Sequence, residues 1–344
     1  MVGIALPIGN YRHSAQDFVI SRQILSIFLF SPSCASSARL SWLKGLRMDR
    51  ERCDKNGSNI KSLLSSNYSL SIRESMKLSA GAWLLGIHRQ INKSVLAKKG
   101  RHWREDGISE RILEDLVDKF SLVEVDAPLG VQTIAWDAFK LSGTPENRAG
   151  DIAVIVKFSY PNGTEKEGVA FLEAKRTYTS SGEFDQLSTE QLERHLTFTH
   201  AHRTLLYDYE STEGHFQNLE LQYYCAACHK EDFLENHAST LSTEQAISLD
   251  DKSRNLLNWS LPLSYILITR YLKGFELDYS PDAVNMAKGF LDLNERGGIN
   301  FLLVAHVSFD VDLTPEPRQI LINSHYQRIE PKQRSNDVDS GYSV

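Results

Sequence analysis

Apolar residues recur at helical spacing in GISERILEDLVDKF (107–120), where Ile108, Ile112, Leu113, Leu116, Val117 and Phe120 share one face. At 100° per residue, Glu110 stands about 105° from the centre of that face and Glu114 about 145°, so Glu110 borders it and Glu114 points more nearly to solvent. Further on the period changes. DIAVIVKF (151–158) and GVAFLEAK (168–175) have the length and β-branched content of strands. YPNGTEKE joins them, and its Asn162-Gly163 pair is a strong hairpin signal, so the two strands are expected to be antiparallel neighbours. A turn centred there sets Asp151 opposite residue 174 or so. Alternation then puts Glu173 and Lys175 on one face of the second strand, with Leu172 and Ala174 on the other. Two acids and a lysine thus converge at one end of a hairpin.

STEQLERHLTF (188–198) opens a helix with Ser188 as cap and Gln191 three residues on, the spacing of a capping box. RTLLYDYE (203–210), LELQYYCAA (219–227) and INFLLVAHVSF (299–309) predict strands. LSYILITRYLKG (263–274) predicts a helix ending at Gly274, and SPDAVNMAKGF (280–290) one capped by Ser280 with Pro281 at its first position. LVEVDAPLGVQTIAWDAF (122–139) mixes a short strand signal with turn residues. Residues 56–80 predict loop and a short helix. The chain divides into a poorly patterned extension over 1–80, a core over 81–230, an α/β extension or recognition region over 231–330 and a frayed tail over 331–344.

The 344 residues suffice for one large or two ordinary domains. A net charge of −6 argues against a protein that coats nucleic acid by bulk charge, but not against one gripping it with a local patch. One such strip is Arg89, Lys93, Lys98, Lys99, Arg101 and Arg104, interleaved with His88, His102 and Trp103. It reads either as a solvated helix face or as a row of phosphate contacts. Cys34, Cys53, Cys225 and Cys228 are too few and scattered for a disulfide framework, which suggests a reducing, cytoplasmic setting. CAACH (225–229) spells a haem-attachment or half-zinc pattern, but incidental thiols at a strand end fit better, because the other cysteines are distant. ILSIFLFSPSCASSA (24–38) only loosely resembles an export signal, and Met48 reads as the natural start. No run reaches the roughly 18 apolar residues of a membrane span.

Carboxylates held close repel, and a hard divalent cation resolves the conflict while leaving positions for water and a phosphate oxygen. A lysine on the same strand face can orient the nucleophile or stabilise developing charge. An acid-x-Lys triplet alone says little, since Asp250-Asp-Lys252 and Glu330-Pro-Lys332 match as well. Only Glu173-Ala-Lys175 ends an apolar strand, follows a Gly-Asp strand and comes after an acid-bordered amphipathic helix.

In that order of elements the stretch of about residues 107–210 resembles the PD-(D/E)xK nuclease superfamily. The resemblance implies an α/β fold: a restriction-endonuclease-like αβββαβ core with a mixed central sheet flanked by helices, plus N- and C-terminal extensions. It also implies Mg²⁺ as cofactor, with Mn²⁺ able to substitute, and DNA as the usual substrate, RNA not being separable by sequence. Asp151 and Glu173 would be metal ligands, Lys175 the catalytic lysine, and Glu110 the helix carboxylate that helps hold the metal. Gln191 would be the polar residue some branches place on the following helix, or simply a cap. Gly150 stands where the family name has proline. The usual setting is restriction or anti-phage defence, with a homodimer and a defence-system partner protein as expected associates. The competing expectation is a silent nucleic-acid-binding or assembly module of the same fold. His195, His200 and His202 look clustered but carry no assigned role.

Overall fold

A computed structural model describes residues 76–330 apart from 101, 128–129, 143–148, 185–186, 212–234, 292–297 and 311. The predicted strand at 219–227, all four cysteines and Arg101 lie outside the described residues.

The chain opens with β1 (Met76–Ser79), α1 (Ala80–Leu96), α2 (Glu105–Phe120), β2 (Leu122–Ala127) and β3 (Gly130–Leu141). The mixed signal over 122–139 is thus an antiparallel pair, β2 with β3. The central hairpin follows, β4 (Ile152–Ser159) and β5 (Glu165–Arg176), then α3 (Thr189–Leu196) and β6 (His202–Tyr207). The rest is β7 (Ala238–Ser242), α4 (Thr243–Leu249), the 3-10 turn Arg254–Trp259, β8 (Leu261–Pro262), α5 (Leu263–Thr269), α6 (Pro281–Ala287), β9 (Phe301–Ser308) and β10 (Tyr326–Arg328). The helix expected over 263–274 finishes as a 3-10 turn and stops at Gly274, whose φ of 81° suits glycine. Ser280 caps α6 through the Ala283 N–H, and Pro281 sits in its first turn.

The strands form one mixed, open sheet in the order β1-β2-β3-β9-β4-β5-β6-β7-β8, with β10 alongside β3. The protein is therefore α/β, with helices on both faces. On one face, α1, α2 and α5 pack against Ile152, Val154, Val156, Leu172, Ala174, Leu205 and Leu303. The opposite set of side chains, Ala153, Ile155, Val169, Phe171 and Val304, packs under α6. Further along that face, Leu192 of α3 and Ala246 of α4 meet Leu206 and Leu241. Strands buried on both sides carry unbroken apolar runs, which is why β9 is buried at all eight positions.

The boundary expected at residue 230 has no counterpart in this packing. Leu70–Val344 forms one compact unit, and β9, from the supposed extension, lies inside the sheet between β3 and β4. It runs antiparallel to β3 and parallel to β4. Among the described residues no helix is long and apolar enough to cross a membrane.

Candidate active site at the end of the β4–β5 hairpin

The Asn162-Gly163 turn closes the hairpin, with Gly163 donating to the Tyr160 carbonyl at 2.9 Å. Ile152 pairs with Leu172, so Asp151 falls opposite Glu173, one position from the expected register. Gly150 adopts φ +112°, and a Cβ there would stand 2.9 Å from the Leu172 carbonyl oxygen. A proline, fixed near φ −65°, could not take that conformation, and this is the physical reason for glycine before the aspartate.

Asp151 is tied to both neighbouring strands. Its N–H donates to the Leu172 carbonyl at 2.8 Å, and its carbonyl accepts from Phe301 N–H at 3.0 Å. Its carboxylate accepts from Ala174 N–H at 2.9 Å and from the Asn300 amide at 3.3 Å. Glu173 and Lys175 share the face of β5 that carries Val169 and Phe171, and they are 2% and 6% exposed, so their charges must be answered locally. Lys175 Nζ donates to Glu173 Oε1 at 2.8 Å. From α3, Gln191 Nε2 reaches the same oxygen at 2.6 Å, and its amide oxygen accepts from Lys175 at 3.4 Å. His195, one turn further along α3, puts Nε2 3.3 Å from Glu173 Oε2. The His195 ring stacks on that of His202, centroids 4.6 Å apart, and His202 Nδ1 meets the Thr243 hydroxyl at 2.7 Å.

These surroundings set the charges. Burial and the negative Glu173 push the Asp151 carboxyl well above the usual carboxylate range, against the opposing Ala174 N–H and Lys175 charge. Burial also disfavours ionised Glu173, but hydrogen bonds from His195 and Lys175, with the lysine's charge, hold it well below that range. The two carboxyls titrate as a pair in which Glu173 ionises first. For Lys175, burial alone would depress the ammonium; the charges of Glu173, Glu105 and Asp151 raise it instead. Lys175 is a fixed cation here, suited to holding an anionic group and unsuited to taking a proton.

The structure brings together four of the five expected catalytic residues, Asp151, Glu173, Lys175 and Gln191. It does not bring in Glu110, whose carboxylate pairs with Lys140 at 3.1 Å, both side chains being more than 40% exposed. The helix carboxylate near the site is Glu105, in the first turn of α2, which accepts from Arg176 N–H at 3.1 Å. Predicting the helix from its apolar repeat started it at 107 and so missed the turn that carries this acid. The expectation for Glu114 also fails. Glu114 is buried beside Arg111, and next to it Asp115 accepts from the Ser94 hydroxyl of α1 at 2.7 Å, because α2 is covered by α1 as well as by the sheet.

Gln191 shows why one spacing can carry two meanings. Ser188 caps α3 through the Gln191 N–H, but the Gln191 side chain turns to Glu173 instead of closing a box. His195 and His202, clustered in sequence, come from different elements, α3 and β6, and meet by stacking. His200 stands apart, with Glu244.

Of the basic strip, Arg89 and Lys93 are exposed on α1, and Lys98 follows the helix half-buried. Lys99 sits over the Tyr209 ring at 5.1 Å, and Arg104 occupies the N-cap position of α2, next to Glu105, without a side-chain cap bond. Among the described residues no three His, Cys, Asp or Glu side chains stand close enough together to chelate a metal by themselves. Glu173 Oε1 is instead engaged by Lys175 and Gln191. Compared with protein-family models, curated proteins and solved structures, the chain finds no match in any of the three.

Proposed function

We propose that this chain is a divalent-metal-dependent nuclease that hydrolyses phosphodiester bonds of DNA, with Mg²⁺ the expected ion and Mn²⁺ a substitute. One observation carries the reading: Asp151, Glu173, Lys175 and Gln191, from two strands and a helix, meet at one end of the sheet with Glu105 beside them. A carboxyl whose ionisation is opposed by burial and by a neighbouring carboxylate is costly for a fold, and a cation binding there would relieve it. Mg²⁺ suits this donor set because it takes one or two carboxylates and otherwise keeps water and phosphate oxygens. Asp151 and Glu173 would hold it, with Glu105 within the same electrostatic field. When bound, the ion would polarise the scissile phosphate and make water a better nucleophile.

The protein's own groups supply the rest. Ala174 N–H and Asn300 aim the Asp151 carboxylate, while Gln191 and Lys175 hold one oxygen of Glu173 and His195 stands beside the other. Lys175 stays an ammonium, placed to steady the negative charge that grows on the phosphoryl oxygens during displacement. The chain order α2, β2, β3, β4, β5, α3, β6 resembles the αβββαβ order of the PD-(D/E)xK superfamily with one strand more, and β9 enters between β3 and β4.

The test is cleavage of plasmid and linear DNA by the purified chain in Mg²⁺ and in EDTA. Asp151→Ala, Glu173→Ala and Lys175→Ala should each lose at least about 100-fold in rate without unfolding. Glu105→Gln should lose about tenfold, and Glu110→Gln should stay near wild type. Undiminished cleavage by the three alanine variants would refute the assignment.

A further inference from the structure

Just past Lys175 the chain builds a surface that the proposed chemistry leaves unused. Thr177 is its hub. The Thr177 carbonyl accepts from the Trp103 indole at 2.8 Å, and its hydroxyl accepts from Tyr209 N–H at 2.9 Å. Trp103 meets Tyr209 edge to face, centroids 5.1 Å apart, and Lys99 Nζ lies 5.1 Å over the Tyr209 ring. On the other side of Thr177 stands Tyr178, 39% exposed, with the Arg176 guanidinium 5.2 Å from its ring centroid. Tyr178 is held on a tight turn, donating to the Glu183 carbonyl at 2.7 Å and accepting from Gly182 N–H at 2.9 Å. Arg104, exposed, lies one residue before Glu105.

Two aromatic rings, each with a cation over it, therefore flank a segment that begins two residues after the catalytic lysine. A flat π face beside a positive charge complements one nucleotide, whose base stacks and whose phosphate seeks a cation. In a duplex the base faces are already stacked on each other, so only an unpaired base can use such a ring. Asp208 and Glu210, the acids on either side of Tyr209 in sequence, are both taken up by Arg254, at 2.7 and 2.8 Å.

We propose that this surface receives a single-stranded stretch of nucleic acid, with Tyr178 stacking on an unpaired base and Lys99 and Arg104 holding phosphates, so that the adjoining phosphodiester reaches Lys175. The inference deepens the nuclease reading and rests on it for the fate of the strand, but its test reads binding alone. Fluorescence anisotropy of the full chain in EDTA would compare four labelled probes: single-stranded DNA, single-stranded RNA, duplex DNA and a wholly abasic strand. Single strands should bind about tenfold tighter than the duplex and the abasic strand. The DNA and RNA probes decide between sugars. Tyr178→Ala should lose about tenfold, Tyr178→Phe should keep near-full affinity, and Lys99→Ala and Arg104→Ala should each flatten the log–log salt slope by about 0.7. Equal binding of the abasic strand, preference for the duplex, or an unaffected Tyr178→Ala variant overturns the proposal. The wild-type comparison of probes needs no variant to fold. Duplex cleavage in Mg²⁺ without single-strand preference would sink this inference and leave the nuclease reading standing. Strand binding without any cleavage would do the reverse.

Discussion

At the scale of single residues, Glu173 is the point on which the site turns. A buried carboxylate needs its charge answered locally, and here Lys175 and Gln191 bond one oxygen while His195 Nε2 lies 3.3 Å from the other without hydrogen-bond geometry. Groups that orient a metal ligand typically matter 10- to 100-fold in affinity or rate. His195→Leu is therefore expected to raise the Mg²⁺ concentration needed for half-maximal cleavage by about tenfold, with KM for DNA little changed. His195→Gln, which keeps a donor, should recover much of that; a Mg²⁺ titration of initial rates decides it, and a leucine variant with unaltered Mg²⁺ dependence defeats the idea. Asp151, Glu173 and Lys175 were legible in the sequence because strand parity and an Asn-Gly turn fix faces and register. Glu105 and His195 were not, since neither belongs to the apolar repeat that marks its helix.

Among the elements, helix spacing and strand pairing are legible where one face carries an unbroken apolar pattern, as in α2 and the β4–β5 hairpin, although β5 is 12 residues long and extends beyond its apolar run. What failed was the other face. The border position assigned to Glu110 assumed a helix with one buried side, whereas α2 is buried on two. α1 tells the same story with polar residues, for His88, Gln90, Asn92 and Ser94 are all buried along it. His88 takes up the Ser264 hydroxyl at 3.0 Å and the Glu235 carbonyl at 2.9 Å, tying α1 to α5. A ring that donates to a carbonyl and accepts from a hydroxyl is neutral. Burial lowers its pKa from 6.5 to about 4, against the pull of the Glu235 carbonyl. Because the unfolded chain takes up this proton first, the stability due to His88 is complete above pH 6.5. It declines as pH falls toward 4, by about 3 kcal/mol in all. Buried His202, also lowered, adds to the same loss. Urea midpoints measured between neutral pH and pH 4.5 should fall, and His88→Gln should flatten that fall. An equally steep fall in H88Q would mean that His88 does not stay neutral.

For the molecule as a whole, the C-terminal third is where the sequence pattern says least. INFLLVAHVSF predicted a buried strand correctly, but a sequence pattern says nothing about which neighbours a strand will find. β9 finds β3 and β4. Burying Phe301, Leu302, Leu303, Val304 and Val307 is worth about 1.5–3 kcal/mol each, which together rivals the entire 5–15 kcal/mol that keeps a domain folded. A chain ended at residue 290 is accordingly expected to remain unfolded, shown by loss of a cooperative melt. Cooperative unfolding of that truncation would make the last third a separable domain after all.

The position of β9 also sets an order of events during synthesis. Asn300, the residue that steadies Asp151, comes immediately before this strand. A nascent chain on the ribosome carries two half-sheets with open edges, and an aspartate without its amide partner, until residues 300–308 have emerged. The arrangement around Asp151 is thus completed only after β9 has left the ribosome and entered the sheet, and the ribosome meets it unfinished.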